Sequence, residues 1–125
     1  MLRKKGFTLL ELIIVIIVIG ILASIALPRY LRVAERSRMA EGKSMLGLLR
    51  GAQMRYSAEH QVYSAVETDT DAEYTTSRYF DTVVLATADP IASVTRNSLD
   101  AGAYDGYVLA ISEDGDINCT GTCPE

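Results

Sequence analysis

Leu12 to Leu27 is an unbroken run without a single charged residue, and only Gly20 and Ser24 in it lack a clearly apolar side chain. Counted from Phe7, the apolar segment carries one charge, Glu11. As a helix, residues 7–27 would be roughly 31 Å long, about the hydrocarbon thickness of a bilayer. A helix at the surface of a soluble domain needs a polar face, and residues 12–27 offer none. The many β-branched Ile and Val residues weaken helix formation slightly in water. In lipid that matters little, because an unpaired backbone amide there costs several kcal/mol, on the order of 5. The alternative is a cleaved secretory signal with a basic start (Arg3, Lys4, Lys5) and Ser24-Ile25-Ala26 as a small-x-small cleavage site. Glu11 inside the apolar region and the length of that region both count against it.

Charge is as segregated as hydropathy. The first six residues carry Arg3, Lys4 and Lys5. Residues 28–56 hold seven bases (Arg29, Arg32, Arg36, Arg38, Lys43, Arg50, Arg55) against Glu35 and Glu41, and residues 57–125 hold thirteen acids against Arg78 and Arg96. A basic tip, an apolar segment, a basic stem and an acidic body therefore follow one another in 125 residues, a length that suits one domain. The acidic body disfavours nucleic-acid binding, which rests on neutralising phosphates. His60 is the sole histidine, and Cys119 and Cys123 are the sole cysteines. That inventory excludes a zinc ribbon or haem attachment, and no nucleophile–base pairing supports catalysis.

The string Lys5-Gly6-Phe7-Thr8-Leu9-Leu10-Glu11-Leu12, followed by the apolar run and Pro28, resembles the processing motif of type IV pilins and type II secretion pseudopilins. The resemblance covers residues 3–63. It implies that a membrane prepilin peptidase cuts between Gly6 and Phe7 and methylates the new amine of Phe7. It divides the chain into a leader (1–6), a transmembrane and filament-core half-helix (7–28), and a head that includes the amphipathic half of the helix (29–125). It further implies that Glu11 neutralises the amino terminus of a neighbouring subunit, and that the stretch from Gly20 to Pro28 can lose helical structure on assembly. By physics alone, Glu11 could equally sit among headgroups or pair with its own Phe7 amine one turn away.

From Pro28 to about Glu59 the pattern reads as continuing helix. Placed at 100° per residue, Leu31, Ala34, Met45, Leu48, Leu49, Ala52 and Tyr56 form an apolar face. Arg29, Arg32, Arg36, Lys43 and Arg50 form a basic stripe nearly opposite, and Arg36, Lys43 and Arg50 are assigned to contacts with acidic neighbouring subunits. Val33, Ser37, Ala40, Ser44, Gly47 and Gly51 form a third, small line. At the helix exit relatives often carry Glu-Asn-Gly-x-Tyr, whereas this chain has Glu59-His60-Gln61-Val62-Tyr63, with Gln61 in place of Gly. His60 reads as an exposed helix-end residue.

Strands are predicted at 79–86, 91–96, 104–112 and 116–119, with Asp114-Gly115 as a hairpin turn and residues 64–78 as a polar surface loop. Asp69, Asp71 and Glu73, or Glu113, Asp114 and Asp116, are acidic clusters that lack the full ligand pattern of a calcium loop, so no metal or cofactor is assigned. In an exported protein Cys119 and Cys123 read as a small disulfide loop.

The resulting expectation is an α+β, type IV pilin-like fold: one long N-terminal helix on an antiparallel sheet of three to four strands. The resemblance implies a non-enzymatic subunit that polymerises into a helical homo-oligomeric pilus filament, with a type II secretion pseudopilin as the alternative. Its partners would be the prepilin peptidase, the inner membrane and the pilus assembly machinery, with no nucleic acid. It would reside as a single-pass inner-membrane protein before assembly and in a surface filament afterwards.

Overall fold

A computed structural model describes residues 6–75 and 77–125. The leader residues Arg3, Lys4 and Lys5 lie outside the described residues. The chain forms two compact units, one ending at Ala34 and the other spanning Glu35–Glu125. A single helix, α1 (Leu9–His60), contributes to both.

In the first unit α1 is the apolar run, and its side chains are exposed throughout. Pro28 lies within α1 without ending it. Proline removes one N–H and crowds the preceding turn, and at Ser24, four residues earlier, the hydroxyl bonds back to the Ile21 carbonyl at 2.7 Å.

In the second unit the rest of α1 packs on a four-stranded antiparallel meander: β1 (Phe80–Leu85), β2 (Ala92–Arg96), β3 (Val108–Ile111) and β4 (Ile117–Thr120), adjacent in chain order. The strand count and fold class agree with expectation. Alternation puts Ala92, Val94 and Arg96 of β2 and Leu109 and Ile111 of β3 on the buried face. In β1 the buried residues are Phe80 and Leu85, an odd number of positions apart. A register irregularity between Phe80 and Thr82 allows this, since one extra residue resets which side chains face inward. The third strand is shorter than predicted. Gly102–Tyr104 forms a 3-10 turn and Gly106 adopts φ +72°, so extended pairing begins only at Val108. The Asp114-Gly115 turn is present: Gly115 has φ +98°, and the Ser112 N–H donates to the Asp116 carbonyl at 2.9 Å.

The core face of α1 is rotated from the predicted one. The buried residues include Glu35, Met39, Gly42, Leu46, Leu49 and Gln53, spaced alternately by four and three. Met45 and Ala52 are also buried, as expected, whereas Leu48 is 52% exposed and Leu31 is exposed as well. Two buried polar residues with fixed partners, Glu35 and Gln53, set this orientation. Gln53 donates to the carbonyls of Ser64 at 2.7 Å and Ile91 at 3.0 Å, and accepts from the Ser64 N–H at 2.9 Å. Gly42 provides the clearance between them, because a Cβ there would lie 2.7 Å from Phe80 Cζ. At the exit, Gln61 takes the left-handed φ of +64° and donates its N–H to the Ser57 carbonyl at 2.8 Å. It occupies the conformation that a helix-ending glycine normally supplies.

Candidate functional site

The processing motif opens α1 with a capping box. Thr8 stands immediately before the first helical residue, Leu9, and Glu11 is three residues on. The Glu11 N–H donates to Thr8 Oγ1 at 3.2 Å, and the Glu11 carboxylate accepts from both the Thr8 N–H and the Thr8 hydroxyl at 2.9 Å. Reciprocal bonding of this kind satisfies donors that the first helical turn leaves free. Thr-x-x-Glu ahead of an apolar run is the sequence signal for it, and sequence reasoning missed it by weighing Glu11 only as a charge. Gly6, Phe7, Thr8 and Glu11 are all exposed. Among the described residues nothing beyond its chain neighbours lies within 4 Å of where a Gly6 Cβ would be.

The basic stripe divides. Arg36 and Lys43 are exposed. Arg50 is already engaged: its Nε and Nη2 donate to the Glu113 carbonyl at 2.9 and 2.6 Å, in the loop between β3 and β4. The helical wheel places Arg50 with Arg36 and Lys43, but the β3–β4 turn passes beside it: a Cβ on Gly115 would lie 3.4 Å from the Arg50 Cζ.

A second polar centre, not anticipated from the sequence, lies at the start of the second unit. Glu35 and Arg96 are each 1% exposed. Arg96 donates from Nε to Glu35 Oε1 at 2.7 Å and from Nη2 to Oε2 at 3.3 Å. The Tyr107 hydroxyl donates to Oε1 at 3.2 Å, and Arg38 donates to Oε2 at 3.0 Å and to the Asp100 carbonyl at 2.9 Å. Burial alone would push the Glu35 carboxyl up. The hydrogen bonds from Arg96 and Arg38, the Arg96 charge and the Tyr107 hydroxyl outweigh it and hold the group below its ordinary range. Burial and the adjacent Glu35 charge push Tyr107 well above the usual phenol range. With one carboxylate saturated by donors, this centre is suited to fixing a structure rather than to moving a proton.

The remaining candidates resolve simply. Cys119 and Cys123 are joined in a disulfide, with Gly121 between them at φ +97° beside the Tyr107 backbone. His60 is exposed and stacked on Tyr56 with ring centroids 4.1 Å apart. Asp71 is taken by Arg55 in a two-point pair at 2.7 and 2.8 Å. Among the described residues no cluster of His, Cys, Asp and Glu is arranged to hold a metal ion.

The family of the prokaryotic N-terminal methylation motif matches residues 1–27. The fimbrial protein EcpC of Eikenella corrodens is 36% identical over 104 residues, which span 82% of this chain and 68% of that protein. This chain belongs to the type IV pilin family. A type IV major fimbrial protein, FimA of Dichelobacter nodosus, is 35% identical over 118 residues, 94% of this pilin and 70% of FimA. The type IV major pilin protein PilA of Myxococcus xanthus is 45% identical over 62 residues, half of this pilin and 28% of PilA. The pilin is thus a structural subunit, like its relatives, and carries the N-terminal methylation motif.

Proposed function

We propose that the chain is cut between Gly6 and Phe7, methylated at the Phe7 amine, held in the inner membrane by its apolar half-helix, and then assembled through that half into a surface filament. The observation that carries this reading is the bare first half of α1. Its most apolar stretch is long enough to cross a membrane, and none of it is buried among the described residues. Surface of that extent is costly in water at roughly 25 cal/mol per Å². Lipid before assembly and other copies of the same helix after it both remove the cost.

In this reading residues 7–28 serve the membrane and the filament core, and residues 29–125 form the head outside. Glu11 exchanges its Thr8 partner for the methylated amine of a neighbouring Phe7. The magnitudes favour the exchange. A capping interaction contributes about 0.5–2 kcal/mol, whereas an ammonium about 4 Å from a carboxylate contributes approximately 4 kcal/mol at an effective dielectric of 20. Gly20 to Pro28 supply the weakest helical stretch, where a subunit can yield to its neighbours. Arg36 and Lys43 face acidic surface on other heads, while Arg50 braces its own β3–β4 turn. The prepilin peptidase and the pilus assembly machinery are the corresponding protein partners. No observation favours the pseudopilin alternative.

Intact-mass analysis of the subunit in sheared filaments tests the processing step. A chain beginning at Phe7 with one added methyl group is expected. A mature start at Leu27 would instead make the apolar run an ordinary secretory signal.

A further inference from the structure

The residues just past the apolar run form a surface that assembly and processing leave unexplained. Arg29, Tyr30 and Arg32 are exposed, Tyr30 at 68%. Among the described residues neither arginine has a carboxylate within 4.0 Å. Arg29 and Tyr30 rim a shallow groove on α1 whose floor and sides are Leu22, Ile25, Ala26 and Val33. All of it lies in the first unit. A helix rises about 1.5 Å per residue, so Arg29 and Arg32 stand roughly 27–32 Å along the axis from Glu11 and roughly 33–38 Å from Phe7. That is the far boundary of a hydrocarbon layer entered at Phe7.

We propose that this surface is a binding site for an anionic phospholipid of the leaflet opposite the leader, used while the subunit resides in the membrane. The proposal rests on the membrane-anchored reading above and adds a ligand to it. Position selects the ligand. At the level where the apolar run ends, the groups available to a guanidinium are lipid phosphates, and Arg matches phosphate oxygens with a planar, two-point fork. Tyr30 has the amphipathic ring that settles at the membrane–water boundary. Below them Leu22, Ile25 and Ala26 of the same shallow groove offer apolar contact to the upper part of an acyl chain. Charge supplies the second reason. Once Arg3, Lys4 and Lys5 are removed, the nearest bases to the apolar run are Arg29 and Arg32, on the side where positive charge disfavours the orientation. Anionic headgroups offset that conflict, with an effect of about fivefold in binding for each arginine near the surface. A second copy of the chain takes over this face only when the subunit leaves the bilayer.

The sequence contains no tryptophan, so Tyr30→Trp places a single fluorescent reporter at the rim of the groove. The full chain carrying it is reconstituted in vesicles of phosphatidylcholine with a fixed fraction of phosphatidylglycerol, with bromine on one lipid or the other. Stronger quenching by brominated phosphatidylglycerol than by brominated phosphatidylcholine is expected. The preference should shrink up to about fivefold on Arg29→Gln and again on Arg32→Gln, and should weaken as salt rises. Equal quenching by the two lipids, or a preference unchanged in the double variant, overturns the site while leaving the anchored reading intact. Quenching that fades as the protein-to-lipid ratio rises assigns the groove to a second copy and also overturns it. Failure of the chain to float with the vesicles would instead remove the anchored reading itself.

Discussion

Each half of α1 contains one carboxylate near its start, and the two are held in opposite ways. Glu11 is exposed, and among the described residues its carboxylate is bonded only to Thr8, three residues away. Glu35 is buried and bonded to Arg96 and Tyr107, which are 61 and 72 residues distant, as well as to Arg38. The apolar residues follow the same division: bare along the first half, packed against Phe80, Tyr107 and Leu109 along the second. The first half carries interactions that can be exchanged at modest cost, and the second carries interactions that define the fold. A subunit that moves from lipid to filament, as proposed above, needs the first kind at its N-terminus and the second kind in its head.

The largest effect should come from breaking the buried pair. Glu35→Gln or Arg96→Gln leaves the other charge buried without its partner and should cost about 3–5 kcal/mol. Glu35→Leu combined with Arg96→Met should cost less than the sum of its single changes. Urea unfolding of the full chain in detergent, followed by near-ultraviolet dichroism, measures both. Acid should act on the same centre. Because the folded Glu35 carboxyl lies below its ordinary value, its contribution is present at neutral pH and is lost as pH falls through that lowered value. Tyr107 and Tyr74 set the alkaline limit. Burial and a hydrogen bond to Glu67 push Tyr74 up to about 12, so stability should fall as pH rises from the ordinary phenol range toward that value. A head indifferent to both limits would remove the distinction between the two carboxylates.

The glycines sharpen the comparison within the head. A methyl group at position 42 would sit 2.7 Å from Phe80 and 2.9 Å from Leu109. Gly42→Ala should therefore destabilise the head by about 1–3 kcal/mol through overpacking. Among the described residues Gly47 has no neighbour within 4 Å of such a group. Gly47→Ala should stabilise by up to about 1 kcal/mol through helix propensity alone. Opposite signs in thermal unfolding are the expected outcome. Gln61→Gly should likewise stabilise, by about 1 kcal/mol, since the residue already holds a left-handed φ. The smallest effect belongs to the basic stripe. Arg36→Glu with Lys43→Glu should leave monomer unfolding unchanged but lower filament yield, with each lost pair contributing about 0.2–1 kcal/mol per contact. Unchanged yield and filaments insensitive to salt would make the stripe only a solvated face.

What could be read from the sequence was local. The apolar run, the length of α1 and the last hairpin announce themselves through periodicity, charge and turn chemistry within a few residues. Glu35 and Arg96 did not, because each looks like an ordinary surface charge until 61 intervening residues fold them together. The core face was misplaced by the same blindness: Glu35 and Gln53 sit where a hydrophobic wheel reads exposure, and their partners lie in strands and loops. Glu11 shows the converse. Its partner is three residues away, in a Thr-x-x-Glu pattern that is legible in the sequence alone.

The most direct test of the division is Glu11→Gln in cells that express the subunit as their only pilin. The variant chain should accumulate in the membrane at the normal level with an intact head, while electron microscopy and shearing should recover few or no filaments. Normal filament yield from Glu11→Gln would contradict the claim that the exposed carboxylate is released from Thr8 to bind a neighbouring subunit.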